Sequence, residues 1–109
     1  MIIDYRAYSF RPADIQTFLD LFEKEGLPPQ KRILGGFVGM MRHEAGPMEQ
    51  LIHLWSYDNV SERERRRALC AADPEFQAYV KKARALIVSQ DVRILNVMPY
   101  SPLTRLKQD

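Results

Sequence analysis

A chain of 109 residues that is 46% hydrophobic and 28% charged has the makeup of one folded domain, and its net charge of +2 is too small to argue for a nucleic-acid partner. The single cysteine, Cys70, excludes an intrachain disulfide and suits a reducing compartment. Asp4 and Arg6 break up the apolar start, so no signal peptide is read there. No apolar run nears the ~18 residues of a membrane span, and the chain reads as cytoplasmic.

Ile2 to Phe10 alternates as a first strand, with Ile3, Tyr5 and Ala7 on one side and Asp4, Arg6 and Tyr8 on the other. Pro12 opens a helix that carries Ile15, Phe18, Leu19 and Phe22 at helical spacing; it is expected over about Pro12 to Glu25, with Gly26 as its cap and Leu27-Pro28-Pro29 as its stop. A second strand follows at about Gly36 to His43, and Glu44-Ala45-Gly46-Pro47 joins it by a hairpin to a third at Gln50 to Tyr57. After Asp58-Asn59, Ser61 and Glu64 form a capping box for a helix over Glu62 to Cys70, and Asp73-Pro74 starts another that buries Phe76, Tyr79, Val80 and Ala83. A last strand is expected at Val92 to Met98, within the apolar stretch that begins at Val88. The domain is read as residues 1–103, with 104–109 as a C-terminal tail.

The third strand, Gln50-Leu51-Ile52-His53-Leu54-Trp55-Ser56-Tyr57, organises the rest. Leu51, His53, Trp55 and Tyr57 share one face, and Ile52 and Leu54 share the other. Strand, helix, strand, strand, helix, strand is the ferredoxin-like order, an α+β fold with a four-stranded antiparallel sheet and helices on one face. The helices are expected to cover Ile3, Tyr5, Ile52 and Leu54. Trp55, Tyr57, Tyr8 and Leu51 would then face water unless a second copy covered them, which calls for a homodimer.

Several stretches in chain order resemble the NIPSNAP family of the dimeric α+β barrel superfamily: Tyr5-Arg6-Ala7-Tyr8 with Pro12, Gly46-Pro47 leading into His53-Leu54-Trp55-Ser56-Tyr57, the run Glu62 to Arg67, Asp73-Pro74, and Pro99-Tyr100-Ser101-Pro102-Leu103. The resemblance implies a homodimer whose two sheets enclose cavities, a dimeric α+β barrel. It implies no settled reaction.

The candidate ligand-binding residues are Asp4, Arg6, Tyr8, His53, Trp55 and Tyr57. His53 titrates near neutrality in its ordinary state and suits acid–base work, and it equally suits a hydrogen bond within a core. First and third strands are neighbours in this fold, so Arg6 and His53 meet across one face, either as a floor for a carboxylate, enolate or carbonyl oxygen or as part of an internal ion pair with Asp4. Trp55 and Tyr57 serve an interface or stack on a ligand. No metal is expected, because a hairpin at Ala45 sets His43 and His53 about 17 Å apart along the strands. The charged run Glu62 to Arg67 reads as a solvated, salt-bridged helix face with Glu62 paired to Arg66, and Cys70 as packing. There is no phosphate-binding glycine loop, no C-x-x-C pair and no G-x-S-x-G elbow, so no cofactor is expected.

Three functions remain open on these residues. The first is binding of a small organic ligand in a cavity on the sheet face. The second is a cofactor-independent oxygenase or lyase using His53 and Arg6 as catalytic residues. The third is a protein-interaction scaffold with a packed dimer core.

Overall fold

The expected order of strands and helices is the order found in the computed structural model, which describes residues 1–106. The strands are β1 (Ile2–Phe10), β2 (Phe37–Arg42), β3 (Gln50–Tyr57) and β4 (Ile87–Asn96), all paired antiparallel in the order β2-β3-β1-β4. The helices are α1 (Ile15–Leu21), α2 (Leu27–Ile33), α3 (Val60–Ala71) and α4 (Pro74–Ala83). Of the expected tail at 104–109, residues 107–109 lie outside the described residues.

The first helical region does not stop at Leu27-Pro28-Pro29. A short 3-10 turn at Pro12–Asp14, α1, a π-helical turn at Phe22–Gly26 and α2 follow one another without a break. In the π turn the Leu27 N–H reaches back to the Phe22 carbonyl, and Pro28 and Pro29 fall in the first turn of the next α segment, where missing N–H groups cost least. Gly26 is therefore no left-handed cap; its φ is −87°. A Cβ there would sit 2.6 Å from the Tyr79 ring, so the glycine lets α4 press its tyrosine against the bulge.

α3 begins at Val60, two residues before the start expected from the Ser61 capping box. Asn59 is its cap, accepting from the Glu62 N–H at 2.8 Å. Asp73 caps α4 through the Phe76 N–H, as its sequence position predicts. β4 starts at Ile87, well before Val92, because the β1 pairing runs its whole length from Ile2↔Asn96 to Phe10↔Ile87.

The faces of the sheet are the reverse of those expected. Leu51, His53, Trp55 and Tyr57 lie under the helices with Phe18, Phe22 and Tyr79, whereas Ile3, Tyr5, Ile52 and Leu54 line the open side. The register Arg6↔His53 and Asp4↔Trp55 carries Asp4, Arg6 and Tyr8 to the helix side as well. Strand period sorts residues into two faces but does not say which one meets a helix when both are apolar. Two facts of the packing decide it here. The helices offer large rings, and Phe10–Phe18 (4.5 Å between centroids), Phe22–His53 (5.6 Å) and Phe22–Tyr79 (6.5 Å) form a continuous aromatic layer only with the bulkier face of β3. The buried carboxylate of Asp4 on β1 also finds a counter-ion in Arg63 on α3.

Candidate functional site

Asp4 is fully buried, and two guanidinium groups hold its carboxylate. Arg6 donates from Nε to Oδ1 at 3.0 Å and from Nη2 to Oδ2 at 3.2 Å, and Arg63 of α3 donates from Nε to Oδ2 at 2.9 Å. A lone carboxylate in that layer would cost several kcal/mol, so the bidentate clamp is what permits Asp4 to sit beneath a helix. Arg6 uses its remaining nitrogen to donate to the Tyr8 hydroxyl at 3.2 Å. Burial opposes the Arg6 charge, but Tyr8 and Asp4 outweigh it and hold the guanidinium above its ordinary range.

His53 stands beside this chain and is 2% exposed. Its Nδ1 accepts from the Trp55 indole N–H at 2.9 Å. Indole nitrogen only donates, so Nδ1 carries a lone pair and the ring proton sits on Nε2. Burial, with Arg6 and Arg67 adding to it, lowers the imidazole from 6.5 to about 3, so the ring is neutral at physiological pH. Nε2 has no hydrogen-bond partner among the described residues. His53 therefore presents one buried N–H donor and no basic lone pair. This departs from the acid–base role, because the only nitrogen able to take a proton is occupied by Trp55.

The unpartnered donor lies on the wall of a cavity of about 490 Å³ between the sheet, α4 and the start of β4. Arg6, Tyr8, Gln30, His53 and Arg67 form its polar side. Phe76, Tyr79, Val80, Ala83 and Ile87 form its apolar side. Tyr8 packs edge-on to His53 at 4.9 Å, and its hydroxyl, having accepted from Arg6, keeps a proton to donate. Gln30 is anchored by its amide nitrogen to the Gly26 carbonyl at 2.9 Å, which ties this wall to the π turn. Burial pushes the Tyr79 hydroxyl upward, keeping it protonated.

Of the six expected ligand-binding residues, Arg6, Tyr8 and His53 reach the cavity wall. Asp4 and Trp55 stand behind them as the groups that fix Arg6 and His53, and Tyr57 is buried with its hydroxyl toward Arg67. His43 is apart from the cavity, bonded to Gln50 at 2.9 Å. Among the described residues no group of three His, Cys, Asp or Glu is placed to hold a metal, and no helix is long and apolar enough to cross a membrane. Cys70 is buried, its thiol pushed up to about 11 by that burial, as packing requires.

Sequence reasoning passed over Arg63 and Arg67. Glu62 does pair with Arg66 at 2.9 Å, and with Arg65 as well, so part of α3 is the solvated face expected of it. Arg63 and Arg67, however, are seven and three residues before Cys70 on the stripe that faces the sheet, and that spacing from a buried residue was the available signal.

On the opposite side of the sheet, Ile3, Tyr5, Val38, Met41, Ile52 and Leu54 line an apolar groove that no α-helix among the described residues covers, bordered by the 3-10 turn at Pro102–Arg105. Segment 98–103 closes one end of it through Met98, Tyr100 and Leu103.

Residues 3–102 match the NIPSNAP family model. NipSnap homolog 3A of Homo sapiens is 30% identical over 104 residues, which are 94% of this chain and 41% of that protein, so the chain spans less than half the length of the curated relatives it matches. A NIPSNAP family protein from Agrobacterium tumefaciens of known structure has a TM-score of 0.90 at 36% identity, covering 94% of this chain and 97% of that one. An uncharacterised NIPSNAP-like domain protein from Burkholderia xenovorans has a TM-score of 0.89 at 38% identity, covering 98% and 91%. An antibiotic biosynthesis monooxygenase, 14% identical with a TM-score of 0.66 over 91% of this chain and all (100%) of that one, shares the fold. With a family match across the folded region and the same tertiary structure in its relatives, the chain belongs to the NIPSNAP family.

Proposed function

We propose that this protein is a small-molecule-binding homodimer, with the ligand held between helices and sheet and the second copy on the sheet's open face. The observation that carries the reading is the buried Nε2–H of His53, left without a partner on the wall of a cavity of about 490 Å³. A buried donor without an acceptor costs ~1–3 kcal/mol, and a roomy, half-apolar cavity beside it is where a ligand oxygen or an ordered water would relieve that cost. The dimer rests on separate ground. The groove around Ile52 and Leu54 is apolar and covered only at one end by segment 98–103, and two copies related by a two-fold axis would each offer the other the same patch.

Native mass spectrometry of protein isolated from cells tests the first part, with a bound small molecule expected on each subunit and a clean apo mass counting against it. Analytical ultracentrifugation at micromolar concentration tests the second, with a dimer expected and a monomer ruling it out. If the site has chemistry, His53 acts as a donor to developing negative charge, since Trp55 holds its tautomer.

A further inference from the structure

The charge around the cavity has one sign. Arg6, Arg67 and Arg84 line it, and no aspartate or glutamate among the described residues does. The buried carboxylate nearest to it, Asp4, is consumed by Arg6 and Arg63 and is fully withdrawn from solvent. Arg67 lies against the neutral Tyr57 hydroxyl, forms no ion pair with a carboxylate among the described residues, and is near enough to His53 to bear on that ring's charge. The neutral donors lean the same way: His53 Nε2–H has no acceptor, and the Tyr8 hydroxyl accepts from Arg6 and so can donate onward. An ammonium ligand would meet arginine and N–H dipoles with no counter-charge. A neutral carbonyl would satisfy His53 and leave Arg67 without its counter-ion.

Resting on the ligand-binding reading above, we propose that the cavity selects a carboxylate or related oxyanion with an apolar body. His53 Nε2–H, the Tyr8 hydroxyl and Arg67 take the anionic oxygens, and Phe76, Tyr79, Val80 and Ile87 hold the apolar part. Charge-assisted hydrogen bonds in a partly desolvated site discriminate strongly against a neutral isostere, because the isostere leaves those donors and that cation unmatched.

The test compares 4-phenylbutanoate with 4-phenylbutanamide by isothermal titration calorimetry, with fluorescence of the single tryptophan, Trp55, as a second readout because its N–H bonds to His53. The expected result is at least ~10-fold tighter binding of the carboxylate, weakening with added salt. Arg67→Gln should remove most of that preference. Arg65→Gln should retain it, since Arg65 is an exposed residue bonded to Glu62 on the outer side of the same helix. Equal or tighter binding of the amide overturns the oxyanion assignment and leaves the ligand-binding reading standing. If neither probe binds, the molecule recovered by native mass spectrometry decides: an anion supports the assignment, a neutral or cationic molecule overturns it, and no molecule at all overturns both readings.

Discussion

The two faces of one sheet solve opposite problems. Under the helices, Asp4, Arg6 and His53 are buried among rings, and of their own polar atoms only His53 Nε2 is unmatched: the carboxylate meets two guanidiniums and Nδ1 meets the indole. On the open face there is almost nothing polar to match, and the groove from Ile3 to Leu54 is held together by shape alone. The difference teaches where to look for specificity. A polar network that is complete except for one donor beside a cavity has a defined chemical deficit, whereas an apolar face asks only to be covered.

The sharpest way to break this contrast is to put a carboxylate into each layer. Phe18 is fully buried between α1 and the sheet, within ring contact of Phe10. Phe18→Asp loses its ring packing and buries an unpaired charge, and a loss above ~4 kcal/mol should leave the chain unfolded by circular dichroism. A folded variant with an unchanged melting temperature would mean that α1 does not cover this face.

The polar network comes next. Removing Arg6 takes away two of the three donors that Asp4 accepts from and leaves Arg63 alone on it. Arg6→Ala should cost ~3 kcal/mol in a urea titration, and Asp4→Ala a similar amount, because it leaves two guanidiniums facing each other. A cost under ~1 kcal/mol in both would show that water reaches the pair and that the network is a cavity wall rather than a buried link.

How much of this was legible in the sequence follows the same division. Composition and turn signals named the strands and helices, and the pairing of Arg6 with His53 across β1 and β3 follows from strand order. What alternation does not supply is the identity of the covered face, because Ile52 and Leu54 look as core-like as Leu51 and Trp55. The missing fact was the partner of Asp4, an arginine 59 positions away on a helix that reads as solvated. The helix running through Pro28-Pro29 was hidden for a local reason: proline reads as a stop unless a π turn has already shifted the hydrogen-bond ladder. The cavity itself depends on the placement of Tyr79 against Gly26, a contact with no sequence signature.

His53 gives a third, milder test through pH. Its folded-state pKa, about 3, lies below the ordinary 6.5, so between those values the unfolded chain binds a proton that the folded chain refuses. The stability it contributes is full above pH ~6.5 and is lost as pH falls toward ~3, by at most ~1.4 kcal/mol per pH unit. His53→Gln should flatten that part of the stability curve relative to wild type, measured by urea unfolding between pH 4 and 7. An identical slope in both proteins would place the ring in water.

The smallest effect on the fold is expected on the open face. Leu54 is only partly buried, opposite Tyr5 and Gly39, with no helix above it. Leu54→Asp adds a charge that a monomer can leave in water, so the change in intrinsic stability should stay within ~1 kcal/mol. Within a dimer the same carboxylate would meet its symmetry copy near the axis, in an apolar contact, and neither would have a counter-ion. Sedimentation should therefore report a monomer with unaltered circular dichroism and unaltered Trp55 emission, because the cavity on the far side does not depend on this residue. Unfolding of Leu54→Asp to the same extent as Phe18→Asp would erase the contrast between the faces. A dimer that persists through the substitution would mean that a second copy, if bound at all, attaches elsewhere, with the exposed edge around Val92 and Ile94 the next surface to test.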